Sequence, residues 1–170
     1  MLEYIILGFL MGMDMSGYDI KQCFSLSMAN FYDASFGSIY PALKRLEESG
    51  AITARESVEA GKYKKVYAIT ETGRKAFQGW IERPITSNRG GHDHLVKLFF
   101  FGFLEKEKAR QLIRDFISGS RRTLEGLDAI EAKVAGQADA YQLATLDYGR
   151  EHYKFVIAWC GKLLEKLEND

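Results

Sequence analysis

The chain has 170 residues, 46% of them apolar, with 23 basic and 23 acidic side chains and a formal net charge of zero. That length holds one domain with an extension or two small ones, and the composition excludes a disordered chain. The charge balance argues against a nonspecific nucleic-acid coat protein, but a local basic patch remains compatible with it.

Leu2 to Leu10 is an apolar run too short to span a bilayer, with no basic leader and no cleavage pattern. It predicts a first helix, amphipathic through Tyr4, Ile5, Gly8 and Phe9, in a cytoplasmic protein without a membrane partner. Ser16-Gly17-Tyr18-Asp19 is a capping box with Asp in place of Glu. The helix it opens is expected to bury Ile20, Cys23, Phe24 and Met28. Residues 30–34 make a short connection into a second helix over 35–50. Phe36, Ile39, Leu43 and Leu46 share one side of it. At about 100° per residue the other side carries Gly37, Ser38, Pro41, Arg45 and, at its edge, Lys44. Small and hydroxyl groups followed by cations suit close approach to a major groove, with base edges meeting the first turns and phosphates meeting the cations. Ser35, Gly37, Ser38, Tyr40, Pro41, Lys44 and Arg45 are therefore candidate DNA-binding residues. Pro41 and Tyr40 also have a plain role in shaping the helix start, where a missing N–H costs nothing.

Gly50 is a predicted helix stop. Residues 51–55 and 64–70 then form two strands around a turn at 59–62, with Val66, Ala68 and Thr70 alternating against Lys65, Tyr67 and Ile69. Lys62, Lys64 and Lys65 are placed at the tip of this hairpin. Residues 55–75 hold six cations and three anions in a chain that is neutral as a whole, which marks a phosphate-binding edge. A helix over 71–83 buries Phe77, Trp80 and Ile81 and ends before Pro84.

Past the break at 84–91 the sequence is almost wholly helical. A short apolar helix spans 93–103, a long one runs from Glu105 to about Val134 through Leu112, Phe116, Leu124, Leu127, Ile130 and Val134, and another from Asp139 to about Leu167 through Leu143, Leu146, Val156, Trp159, Leu163 and Leu167. An apolar stripe on a ~30-residue helix is ~45 Å long. It calls for a partner, of which a second copy about a twofold axis is the simplest. The predicted fold is mainly α with a small β-hairpin: a winged helix-turn-helix over 1–83, a linker over 84–91, and an antiparallel helical dimerisation domain over 92–170. The bland alternative is a monomeric helical cap folded back on the first domain.

Together these motifs resemble the PadR family of bacterial transcriptional regulators. The matching strings are Ser16 to Ile20, Ser38 to Gly50 and Lys65 to Gly73, with a looser match over Asp93 to Phe100 and the closing helix. The resemblance implies a winged-helix homodimer that represses, or less often activates, a few promoters at pseudo-palindromic operators. In the phenolic-acid-responsive members a small aromatic ligand releases the DNA. Tyr18, Lys97, Phe100, Tyr148, His152 and Trp159 are the candidate effector residues. Aromatic stripes at helical spacing are more often core than pocket.

Two other classes stand beside a DNA-binding regulator. One is a winged-helix protein-interaction module that does not bind DNA. The other is an enzyme, which the sequence disfavours: it has no nucleophile elbow, phosphate-cradling glycine loop or metal triad. His92-Asp93-His94 offers two metal ligands without a third nearby. Cys23 and Cys160 form no metal motif or disulfide framework and, lying on apolar helix faces, are expected to be buried free thiols. No cofactor is expected.

Overall fold

The computed structural model describes residues 1–28, 32, 36–59, 62–85, 93–134, 136 and 138–168. They fall into two compact units, one of residues 1–83 with 87–104 and the other of 84–86 with 105–170.

The first unit is built on α1 (Leu2–Gly12), which packs against the three α-helices that follow it within residues 1–83 and against the sheet. Ile5, Ile6, Leu7, Gly8, Phe9 and Leu10 are all buried, so α1 is a central core helix and not the amphipathic one its spacing suggested. Such all-round burial is the fate of a helix that is hydrophobic on every side. A two-residue strand β1 (Met15–Ser16) leads into α2 (Gly17–Ser27). The expected capping box is formed: the Asp19 N–H donates to Ser16 Oγ at 3.2 Å, and Asp19 Oδ2 accepts from the Ser16 N–H at 2.9 Å. Ile20, Phe24 and Met28 are buried as expected, but Cys23 is half-buried, lying at the edge of that face. The connection at 30–34 lies outside the described residues, apart from Tyr32.

A 3-10 turn at Phe36–Ser38 precedes α3 (Ile39–Glu48). Ile39, Ala42, Leu43 and Leu46 face the core. The helix ends in a complete Schellman motif: Gly50 has φ +71°, its N–H donates to the Glu47 carbonyl at 3.0 Å, and the Ala51 N–H donates to the Leu46 carbonyl at 2.9 Å. Strands β2 (Ile52–Glu59) and β3 (Lys62–Ile69) pair antiparallel from Ile52↔Ile69 to Glu59↔Lys62, and β1 joins the free side of β3 to give the order β1-β3-β2. Both strands run further toward the turn than expected, and β1, too short for any periodicity, is a third strand the pattern did not announce.

Helix α4 (Glu71–Ile81) starts at Thr70, whose hydroxyl accepts from the Gly73 N–H and donates to the carbonyls of Gly50 and Ala51. This ties the start of α4 to the root of the hairpin. It buries Phe77, Trp80 and Ile81, as predicted. The expected 93–103 helix is two pieces, α5 (Asp93–Phe99) and a 3-10 turn at Phe101–Phe103. Both group with the first unit, so the contact boundary falls at Leu104 rather than at 84–91. The reason is aromatic packing: Phe100 lies 5.7 Å from Phe9 and 5.6 Å from Phe77, both edge-on, and Tyr4 stacks on Trp80 at 5.1 Å. Gly8 makes the room, since a Cβ there would stand 2.6 Å from Phe100 Cζ.

The second unit is a hairpin of two 29-residue helices, α6 (Lys106–Val134) and α7 (Ala140–Glu168). Arg150 bridges to Asp128 at 2.8 Å and to Glu131 at 2.6 Å, and Arg110 donates to the Leu167 carbonyl. These contacts fix the antiparallel register. On α6, burial is concentrated in Ala109, Leu112, Ile113, Phe116, Ile117 and Ser120, while Ile130, expected on the apolar stripe, is 47% exposed. On α7 only Val156 and Cys160 are buried.

Candidate nucleic-acid interface

Burial of one side of α3 leaves the other side outward. Tyr40 is 56% exposed, and Gly37, Pro41, Lys44, Arg45 and Glu48 are exposed with it. Pro41 is the third residue of the helix, where its missing N–H is one of the donors a helix start leaves unpaired in any case. Ser38, half-buried, is the N-cap by position but makes no capping bond with its side chain. Tyr40 is held by a neighbour the sequence did not single out: at Gly17 a Cβ would come within 2.7 Å of the Tyr40 ring, so the bare backbone at the start of α2 is what the ring rests on. Ser35 lies outside the described residues, as does the side chain of Lys62.

Tyr40, Lys44, Glu47 and Glu48 of α3 and Lys65 and Tyr67 of β3 line an open groove of about 430 Å³. The groove forms because residues 65 and 67 share one face of β3, two apart, and that face turns toward α3. Tyr67 is the buried member. Desolvation is the main reason its phenol is held above the ordinary value.

The cations are placed less simply than the sequence predicts. Lys64 and Lys65 pair with Ser57 and Glu56, two and three residues along β3 from the last described pair, Glu59↔Lys62. Lys65 Nζ lies 2.8 Å from Glu47 Oε2 and 5.5 Å from the centre of the Tyr67 ring, and the bond to Glu47 is the main cause that holds its ammonium above the usual lysine range. Lys64 Nζ lies 3.3 Å from Asp19 Oδ2. Asp19 is held below the usual carboxylate range, chiefly by its hydrogen bonds from Ser16 and, to a smaller extent, by Lys64. Arg45 turns toward the start of α1, with Nε 2.7 Å from Glu3 Oε1. Lys44 is 3.7 Å from Glu48, with a side chain 78% exposed. The pairing of Glu47 and Asp19 with the lysines of β3 carries no signal in the linear pattern, because the packing of β3 against α3 and α2 brings them in, whereas Glu48 is the i+4 neighbour of Lys44 on its own helix.

The six effector candidates are distributed over both units. Phe100 is buried in the aromatic core of the first. Lys97 is buried there too, donating to the Arg83 carbonyl at 2.6 Å with its ammonium 5.4 Å from the Trp80 ring centre. Burial, with the Arg83 charge second, pulls its pKa down to about 8. Tyr18 is 62% exposed, and its hydroxyl accepts from Gln22. In the second unit Tyr148 is 76% and Trp159 39% exposed. The His152 ring stacks beside Tyr148, with centroids 6.5 Å apart. Among the described residues no cluster of His, Cys, Asp and Glu fits a metal ion, and no helix is long and apolar enough to cross a membrane.

The sequence profile of the transcriptional regulator PadR-like family matches residues 6–79, and that of the virulence activator alpha C-terminal domain matches residues 92–168. A probable transcriptional regulator of Mycobacterium tuberculosis is 33% identical over 170 residues, covering 90% of each chain. The chain belongs to the PadR-like family of transcriptional regulators. The negative transcriptional regulator PadR of Bacillus subtilis is a further PadR relative, 28% identical over 180 residues, which are 99% of this chain and 98% of that protein. Among solved structures, Bacillus subtilis PadR in complex with operator DNA is 28% identical over 98% of each chain, with a TM-score of 0.49. The same regulator in complex with p-coumaric acid is 27% identical over 99% of this chain and 96% of that one, with a TM-score of 0.45. The two profiles meet near the break at 84–91, whereas the packing of Phe100 carries the first compact unit on to Leu104.

Proposed function

We propose that this PadR-like regulator is a homodimeric repressor that binds a pseudo-palindromic operator in the cytoplasm, with α3 in the major groove and the β2–β3 hairpin along the phosphate backbone. The observation that carries the reading is the outward strip of α3. Gly37, Tyr40, Pro41 and Lys44 offer close approach, a phenol and a cation, and Lys65 flanks them across the groove. That is the chemistry of base-edge contact beside phosphate contact. Repression follows the Bacillus subtilis relative, whose similarity runs through nearly the full length of both chains.

Dimerisation is supported by α7. Tyr141, Tyr148, Phe155 and Trp159 fall within about 40° of one another at 100° per residue, and they are 86%, 76%, 65% and 39% exposed. Four aromatic rings in one exposed line suit an interface with a second copy. Two DNA-reading units set one helical turn apart then match a twofold operator. A small aromatic acid is the proposed releasing effector, as the family resemblance implies. A thermal shift with p-coumaric acid tests it, and no shift at high excess removes the effector from the proposal.

The test of DNA binding is a fluorescence-anisotropy titration against the DNA upstream of the chain's own gene and against a scrambled duplex, at two salt concentrations. Tighter binding upstream, weakening steeply with salt, is the expected result. Equal, feeble binding to both duplexes, unchanged when Lys44 and Lys65 are replaced by alanine, points instead to the protein-interaction module.

A further inference from the structure

Each candidate cation whose side chain is described on the DNA-facing side of the first unit stands beside a carboxylate of the same unit. Lys44 is 3.7 Å from Glu48, Arg45 is 2.7 Å from Glu3, Lys64 is 3.3 Å from Asp19, and Lys65 is 2.8 Å from Glu47. A surface shaped only to attract phosphate would not carry four acids among its four cations. Two of those acids have structural work elsewhere: Asp19 completes the cap of α2 and Glu3 joins α1 to α3. Glu48 is a loose neighbour one turn along its own helix. Glu47 is different. Its side chain has no capping role, lines the groove between α3 and β3, and reaches across to the lysine of the other element.

We infer that Glu47 attenuates DNA binding: it neutralises Lys65 inside the groove, so that a phosphate must displace it before Lys65 can be used. The inference rests on the DNA-binding reading above. Three features support it. The pair is half-exposed, at 49% for Lys65 and 37% for Glu47, so it is weak enough to open. Lys65 also lies over the Tyr67 ring, which keeps the ammonium on this face when the carboxylate lets go. A carboxylate left in the groove repels any phosphate that approaches. Because binding to random DNA comes almost entirely from phosphate contacts, it bears the attenuation at least as fully as operator binding does. Glu47 thus holds back the sequence-independent part of the affinity.

The test compares the wild-type chain, Glu47→Gln, Lys65→Gln and the double variant by anisotropy on the upstream and scrambled duplexes at several salt concentrations. Glu125→Gln on α6 serves as a control for net charge. Glu47→Gln is expected to tighten binding to the scrambled duplex roughly two- to fivefold, the span of an exposed ion pair, and to steepen the salt slope by about 0.9, one more phosphate held. The gain should vanish in the double variant and be absent in Glu125→Gln. Unchanged affinity and slope overturn the inference, as does an equal gain in Glu125→Gln. Weaker binding to both duplexes means that Glu47 positions Lys65, and a loss confined to the upstream duplex means that Glu47 contacts a base; either result overturns attenuation. If the wild-type chain binds neither duplex at low salt, the DNA-binding reading itself fails. That result is distinct from all the others.

Discussion

Replacing Gly73 by alanine puts a methyl group where the first turn of α4 crosses the root of the hairpin. The added Cβ would overlap the Ala51 carbonyl oxygen and stand 2.8 Å from Ile69 Cγ1 and 3.1 Å from the Ala51 carbonyl carbon. That carbonyl accepts from the Thr70 N–H at 3.1 Å and from the Thr70 hydroxyl at 3.0 Å, so it cannot withdraw without loosening the cap of α4. Overpacking of this kind costs about 1–3 kcal/mol, and a weakened N-cap adds about 1 kcal/mol. Alanine's helix preference returns at most about 1 kcal/mol. The net loss is about 2 kcal/mol, or a midpoint lowered by about 4–8 °C for a chain of this length. Gly79, six residues along the same helix, is exposed, and a Cβ there meets nothing within 4 Å. The same substitution at Gly79 should gain about 1 kcal/mol and raise the midpoint by about 2–4 °C. Thermal melts followed by circular dichroism measure both. Midpoints moving in the same direction would refute the argument, because helix propensity alone would then outweigh the contact with Ala51.

Four further outcomes follow from the same geometry. Lys44→Ala should weaken binding to every duplex and flatten the salt slope by about 0.9, and an unchanged slope in the anisotropy titration would take Lys44 off the phosphate. Lys97 has a folded pKa of about 8 against an ordinary 10.5, so between those values the unfolded chain binds more protons and the stability contributed by Lys97 rises with pH. The melting midpoint of the wild type minus that of Lys97→Met should therefore increase from pH 7 to pH 10, whereas a flat or falling difference would place the ammonium in water. Cys160 is fully buried with its thiol pushed up to about 11, whereas Cys23 is half-buried. Maleimide labelling read by peptide mass should thus modify Cys23 in the native protein and Cys160 only on unfolding, and equal rates would contradict that burial. Phe155→Glu, on the exposed aromatic line of α7, should convert the dimer to monomer in light scattering; a persistent dimer would move the interface elsewhere.

The elements with strong local signals were legible in the sequence. The capping box at Ser16 and Asp19, the glycine stop at Gly50 and the 3.6-residue spacing of Ile39, Leu43 and Leu46 each depend on residues within a turn or two, and each is present. What local pattern could not supply was the degree of burial. The apolar run at Leu2 has no polar side, and only the full set of neighbours makes α1 a central helix. Phe99 and Phe100 fall with the C-terminal half in the sequence, because Pro84 and the glycines at 90–91 look like a boundary. Their packing on Phe9, Phe77 and Trp80 is a long-range fact that no spacing encodes.

The same division runs through the candidate interface. Which residues α3 turns outward follows from helix geometry, so Tyr40, Pro41 and Lys44 could be named from the sequence. How much charge that face offers does not follow, because it depends on pairs 18, 42 and 45 residues apart in the chain: Glu47 with Lys65, Glu3 with Arg45, and Asp19 with Lys64. Counting cations by sequence window overstates the field a phosphate would meet, since every pair that must open subtracts from the gain. A neutral chain can still bind DNA through a local patch, but here the patch carries its own counter-charges. Affinity for random DNA is then set less by the number of lysines than by how readily each lets go of its carboxylate, and Glu47 is the place where that distinction can be measured.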